Sequence, residues 1–188
     1  AEAPQTPNPA DLQNPVLRTV PDLASLKPAL DMIAAAKRPI LLVGLYVLVD
    51  HASQALITFA EKLGAPVLTT AKCKGVIPED HDLRAGCIIG GLIERDLINQ
   101  SDLIITVGLD AVELQPKSWP YSIPVLSLAR IPTLEGLIPA TLEIVGDVQG
   151  LLSGLATGIG GQGEWGVKAS AKFRTDVTRA LDVRTAFL

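Results

Sequence analysis

An open parallel α/β sheet covered on both faces is the fold this sequence predicts, and three observations predict it. Short, largely apolar runs recur at Ile40–Val43, Pro66–Thr70, Leu103–Val107, Val125–Leu128 and Leu142–Val145. Three of them are closed by a glycine, namely Gly44, Gly108 and Gly146. Between the runs lie amphipathic or loop segments able to carry the chain back over a sheet. Strands apolar at successive positions, rather than at every second one, are what a sheet buried on both faces requires.

The clearest unit runs from Lys37 to Gly75, where a strand, an amphipathic stretch His51–Leu63, the stop at Gly64 and a second strand spell β-α-β. Its loops at the strand ends are where such folds take ligands. Before it, Asp22–Ala36 carries Leu23, Leu26, Leu30 and Ile33 at helical spacing. The opening 1–20 holds Pro4, Pro7, Pro9 and Pro15 and reads as a Pro-rich linker. After Gly75, the residues Pro78, Gly86, Gly90 and Gly91 argue against regular structure over most of the stretch to Gly91. A short helix is expected between Gly91 and Gln100, and another over Val148–Thr157. A Gly-rich hinge, Gly158–Gly166, then leads to a candidate helix from Lys168 to Leu188 with Phe173, Val177 and Leu181 on one face. That face must be buried, in this chain or on a following domain. The expected organisation is therefore a linker at 1–20, a central α/β domain at 21–157, and a hinge with an exit helix at 158–188.

Composition bounds the function. With 188 residues, 48% of them hydrophobic, the chain can bury one substantial core. A net charge of -4 and a pI near 5.1, with Lys and Arg scattered, leave no footprint for nucleic acid or an anionic membrane surface. Mean hydropathy is high at +0.35, yet the run Ile40–Val49 is too short to cross a bilayer. Cys73 and Cys87 are the only cysteines and lie outside any zinc or disulfide spacing. Reduced thiols in a cytoplasmic protein are the expectation.

No stretch carries an obvious catalytic motif. Gly44 opens GLYVLVDHA, where a phosphate-cradling turn would need G-x-G-x-x-G, so a packed apolar loop is expected there. Lys72, Lys74 and Gly75 offer two cations and an adaptable backbone to an anion, or form a solvated loop. His51 and His81 have no partner at metal-ligand spacing and read as capping or packing residues. No G-x-S-x-G elbow frames a serine. The carboxylates Glu79, Asp80 and Asp82, and the pair Asp110 and Glu113, read as solubilising loop residues. Trp119 and Tyr121 read as core packing.

The series RPILLVG, LGAPVLTTAKCKGVIPEDHD, SDLIITVG and LEIVGD resembles the central domain of thiamine diphosphate-dependent enzymes, from about Ala34 to about Leu155. Thr69-Thr70, Lys74-Gly75, Pro78 and His81 are its most specific part. That family includes acetohydroxyacid synthases, 2-keto acid decarboxylases and oxalyl-CoA decarboxylase. The resemblance implies a three-layer, Rossmann-like parallel sheet of about six strands, of the DHS-like NAD/FAD-binding type. Pattern alone yields five strands, and Cys87–Gly90 or a flank would supply the sixth. It implies thiamine diphosphate and Mg in the parent enzyme, held between a pyrimidine-binding and a diphosphate-binding domain, with a homo-oligomer as the assembly. The Mg-binding Gly-Asp-Gly does not occur here, so the chain alone is expected not to turn over.

In relatives that bind FAD or ADP, the nucleotide lies at the strand ends. The matching positions are Gly44, Thr70, Lys74, Gly75, Gly108, Arg130 and Asp147. Departures stand at Leu45 and Tyr46 in place of a Gly-rich turn, Cys73 in place of Gly, Leu109 in place of Arg, and Ala129-Arg130 in place of a ribose-holding acid. An unmatched buried hydroxyl pair costs on the order of 1–3 kcal/mol. A vestigial site in a structural spacer is therefore expected, with FAD and ADP disfavoured. The alternatives are a module that still holds FAD, ADP or a CoA-type nucleotide, and a free-standing small α/β regulator.

Overall fold

The computed structural model describes residues 22–88, 92–110, 113, 119–132, 138–161 and 163–185. The expected linker at 1–20, and Gly90 and Gly91, lie outside these residues. Helix α1 (Leu23–Ala35) leads into strand β1 (Pro39–Val43), a single turn α2 (Tyr46–Val49), α3 (Ser53–Leu63) and β2 (Val67–Thr69). A 3₁₀ turn at Ala71–Cys73 precedes β3 (Arg84–Cys87), then α4 (Leu92–Ile98) and β4 (Leu103–Val107). Strands β5 (Val125–Ala129) and β6 (Leu142–Val145) and helices α5 (Val148–Thr157) and α6 (Trp165–Thr185) complete the order.

Local chemistry sets most boundaries. Asp22 caps α1, its side chain accepting from the Ser25 N–H at 2.8 Å. Asp147 caps α5 in the same way through the Gly150 N–H, also at 2.8 Å. Gly64 ends α3 in the left-handed conformation, with φ 62°.

The six strands form one sheet in the order β3-β2-β1-β4-β5-β6, every pair parallel. The sixth strand is Arg84–Cys87, so it ends where the expected range began. Gly86 and its neighbours, expected to be irregular, pair with β2 across a register shift between Val67 and Leu68. Pairing supplied by a neighbouring strand outweighs the low β preference of Arg-Ala-Gly.

Both faces are covered. Leu41, Val43, Ile105 and Leu126 point to one side and join Leu26, Phe59 and Leu155 of α1, α3 and α5 in the larger core. Ile40, Leu42, Ile104 and Val125 point to the other and join Leu97 and Ile98 of α4 and Phe173 of α6. The period of two along each strand divides one apolar run between two cores, which makes a three-layer molecule.

Helix α6 buries its face within the chain. Phe173 lies over Gly86 on β3, the Ser170 hydroxyl donates to the Leu83 carbonyl at 2.9 Å, and Trp165 Nε1 donates to the Pro39 carbonyl at 3.0 Å. Ala169, Phe173 and Val177 complete the second core, while Leu181 remains 58% exposed. Trp119 and Tyr121 pack against the same core, edge to face with centroids 5.2 Å apart.

Candidate functional site

The strand order reverses between β1 and β4, and in open parallel sheets the crevice beyond the carboxyl ends of those strands is the ligand position. Its floor here is backbone. Gly44 N–H donates to the Val107 carbonyl at 2.9 Å, Gly108 N–H to the Leu128 carbonyl at 2.8 Å, and Thr70 N–H to the Val43 carbonyl at 2.8 Å. Four strand ends, those of β2, β1, β4 and β5, are thereby stitched together. Gly108 takes φ 57°, which releases its carbonyl to accept the Tyr46 N–H at 2.9 Å.

A carboxylate sits in the crevice. Glu113 Oε2 accepts the N–H of Leu45 at 2.8 Å and that of Asp110 at 2.9 Å, while its Oε1 accepts the Thr70 hydroxyl. Two converging backbone N–H groups and a hydroxyl form an anion nest, and this one is filled from within the chain. Gly44 makes room for it. A Cβ at this position would come within 2.5 Å of Leu109 Cα and 2.6 Å of Glu113 Oε2. Glu113, read from sequence as a solubilising residue, is half-buried and is the centre of the site.

The expected site residues fall into three places. Gly44, Thr70 and Gly108 surround Glu113. Arg130 and Asp147 meet at a second cluster beyond β5 and β6, organised by Asp50, which sequence reasoning had not singled out. Asp50, 4% exposed, accepts from Arg130 Nη1 at 2.7 Å and from the Val148 N–H at 2.9 Å. Arg130 also lies 3.6 Å from Asp147. Lys74 and Gly75 join neither group, both being exposed after the 3₁₀ turn, and Gly75 has φ 94° with open space around it.

Around the crevice, Cys73 is buried with its thiol donating to the Val43 carbonyl at 2.8 Å. Burial pushes this thiol up from its ordinary range, so it stays protonated at neutral pH. Leu45 and Tyr46, expected in a packed loop, lead into the helical turn α2. Its Val47 is buried, while Leu48 and Val49 are 39% and 52% exposed. His81 is a packing residue: its Nδ1 accepts the Leu83 N–H at 3.2 Å and Nε2 faces Glu61 at 3.3 Å.

These residues do not fit a nucleotide diphosphate in the crevice. The nest already holds a carboxylate, and two unit negative charges 4 Å apart repel by about 4 kcal/mol near a protein surface. That is roughly a thousandfold in affinity. Arg130, which stands where the resemblance would put a ribose-holding acid, is engaged by Asp50. Among the described residues, no group of three or more His, Cys, Asp or Glu could hold a metal ion. No described helix is long and apolar enough to cross a membrane.

Comparison with known proteins agrees with this architecture. The family profile for the thiamine pyrophosphate enzyme central domain matches residues 26–155. A Methanococcus aeolicus protein named "Probable acetolactate synthase large subunit" is 32% identical over 133 residues, which are 68% of this chain and 22% of that protein. The Pseudomonas aeruginosa protein named "Probable 2-ketoarginine decarboxylase AruI" is 29% identical over 143 residues, 73% of this chain and 25% of its own. The crystal structure of benzoylformate decarboxylase from Polynucleobacter necessarius superposes with a TM-score of 0.63 at 27% identity, over 77% of this chain and 28% of that one. The chain thus spans about a quarter of the length of the relatives it matches. A matched region covering most of the folded core, on a six-stranded parallel sheet of the same kind, makes this chain a member of the thiamine pyrophosphate enzyme central-domain family.

Proposed function

We propose that this chain is a non-catalytic central domain that supports the assembly of a thiamine diphosphate-dependent enzyme acting on 2-keto acids or related carbonyl compounds. Relatives named for acetolactate synthesis and 2-ketoarginine decarboxylation support the substrate class. Thiamine diphosphate and Mg then belong to the pyrimidine-binding and diphosphate-binding domains of the parent, and a homo-oligomer is the form in which the domain acts. In this reading 1–20 and 158–188 join the central domain, 21–157, to those neighbours, and the parent is cytoplasmic.

The observation that carries the scaffold reading is the Glu113 carboxylate in the crevice at the sheet's switch point. A site whose donors are satisfied by the protein's own anion has no free donors for a ligand's phosphate. The positions Gly44, Thr70, Lys74, Gly75, Gly108, Arg130 and Asp147 are in this view the remnant of a nucleotide site. Thermal melting of the purified chain with and without ADP, FAD or coenzyme A tests it. No shift is expected. A yellow protein, or a melting point raised several degrees by millimolar nucleotide, would establish the nucleotide-binding module instead.

A further inference from the structure

The nest between β1 and β4 has the donors of an oxyanion site and an occupant that is part of the chain. Leu45 N–H and Asp110 N–H converge on one oxygen of Glu113, at 2.8 and 2.9 Å, and the Thr70 hydroxyl reaches the other. These donors come from the ends of three different strands, β1, β4 and β2. Few side chains could satisfy them together. A neutral amide could keep both backbone N–H groups on its oxygen only by donating to a Thr70 hydroxyl turned round to accept, and without the charge that strengthens these bonds, while a shorter carboxylate at position 113 would fall a methylene short of them. Gly44 completes the cradle, since any Cβ there would stand 2.6 Å from the bound oxygen.

We infer that Glu113 is an internal ligand, a tethered carboxylate that closes an otherwise competent binding site for small oxyanions, both carboxylates and phosphates. The inference deepens the scaffold reading of the crevice and rests on it. Tethering gives the Glu113 carboxylate a local concentration on the order of millimolar or higher at the nest. A free anion must compete against that concentration, which is why the intact chain rejects it. Removing the carboxylate leaves the strand ends next to Leu45 and the Thr70 hydroxyl held by the β-sheet rather than by the glutamate, with Asp110 two residues beyond Gly108. Gly44 N–H, Gly108 N–H and Thr70 N–H keep their partners at the Val107, Leu128 and Val43 carbonyls whatever stands at position 113.

The test compares the intact chain with Glu113→Ala by thermal melting in acetate, inorganic phosphate, inorganic pyrophosphate and chloride of matched ionic strength. The substitution is expected to lower the melting point. Acetate or phosphate is expected to restore several degrees to E113A and to leave the intact chain unmoved, with apparent affinities at least tenfold tighter for the variant. A preference for acetate would mark the nest as a carboxylate site, and a preference for phosphate or pyrophosphate as a phosphate site, either of which supports the inference. Equal stabilisation of both proteins would overturn it together with the scaffold reading. No anion-specific response in E113A, with the intact chain equally silent, would overturn the inference and leave the scaffold reading standing. Should E113A fail to fold, Glu113→Gln gives an independent reading by amide NMR. Loss of the charge should move the Leu45 and Asp110 amide protons upfield together, and unchanged resonances would show that the carboxylate does not occupy the nest.

Discussion

At position 44 a side chain is excluded by the protein's own backbone and carboxylate. The missing Cβ leaves space that Leu109 Cα and Glu113 Oε2 fill from 2.5 and 2.6 Å. Gly44→Ala is accordingly expected to destabilise by about 1–3 kcal/mol, the usual cost of overpacking a site that cannot expand. Urea denaturation checks this, and an unchanged midpoint would refute the packing described for the crevice. Asp50 makes a second case. It is nearly fully buried and serves both Arg130 and the buried Val148 N–H. Breaking a buried pair from one side costs about 3–5 kcal/mol, and since Arg130 keeps 17% exposure and a second acid 3.6 Å away, about 2–3 is expected for Asp50→Ala. Arg130→Met should cost less, and the double variant less than the sum. Additive effects in that cycle would mean the pair is not coupled.

Among the elements, α6 is the one whose place was undecided by its own sequence. Its periodicity called for a partner surface without saying which. The structure supplies β3 and α4, with Phe173 over Gly86, Ser170 bonded to the Leu83 carbonyl just before β3 and Trp165 bonded to the Pro39 carbonyl of β1. Phe173→Ala removes a ring that is 5% exposed and should cost about 3–4 kcal/mol. Because β3 is the edge strand and α6 is its cover, amide exchange in Arg84–Cys87 should accelerate more than in Leu103–Val107 of the sheet centre. Uniform acceleration would show instead that the helix and sheet unfold as a single unit. Helix α2 shows the converse. Four apolar residues after Gly44 looked like filler, yet they form a turn whose Tyr46 N–H takes the Gly108 carbonyl, which helps to place the Leu45 N–H at the nest.

For the whole molecule, the two cores on opposite faces of the sheet each carry or flank an acid whose charged form is disfavoured, the buried Cys73 and the half-buried Tyr121. Burial is the leading cause for both Cys73 and Tyr121, and raises each above its ordinary value of 9.0 and 10.0. The folded state therefore binds these protons more tightly than the unfolded chain. Their contribution is complete below the unfolded values and is lost as pH rises through the folded ones. Denaturant midpoints should thus fall above about pH 9, and Cys73→Ala should remove the earlier part of that fall. A decline that is identical in the variant would assign it to other groups. Alkylation at neutral pH should likewise find the half-buried Cys87 well before the buried Cys73.

How much of this was legible follows from the range of the interactions. The apolar strands, the start of α1 at Asp22 and the stop at Gly64 depend on neighbours within a few residues, so pattern and spacing were sufficient for them, whereas the cap that Asp147 gives α5 emerged only in the structure. The strand Arg84–Cys87 was not legible, because its pairing comes from β2 and its cover from α6. The same holds for the site. Gly44, Thr70 and Gly108 could be named as strand-end positions, but nothing near Glu113 in sequence foretells that its carboxylate meets Leu45, 68 residues away, and Thr70, 43 away. Composition and periodicity determined by themselves that this chain is a doubly covered parallel sheet. Only the tertiary structure decided that the Glu113 carboxylate meets donors from the ends of three separate strands, because that meeting depends on segments far apart in sequence being brought together.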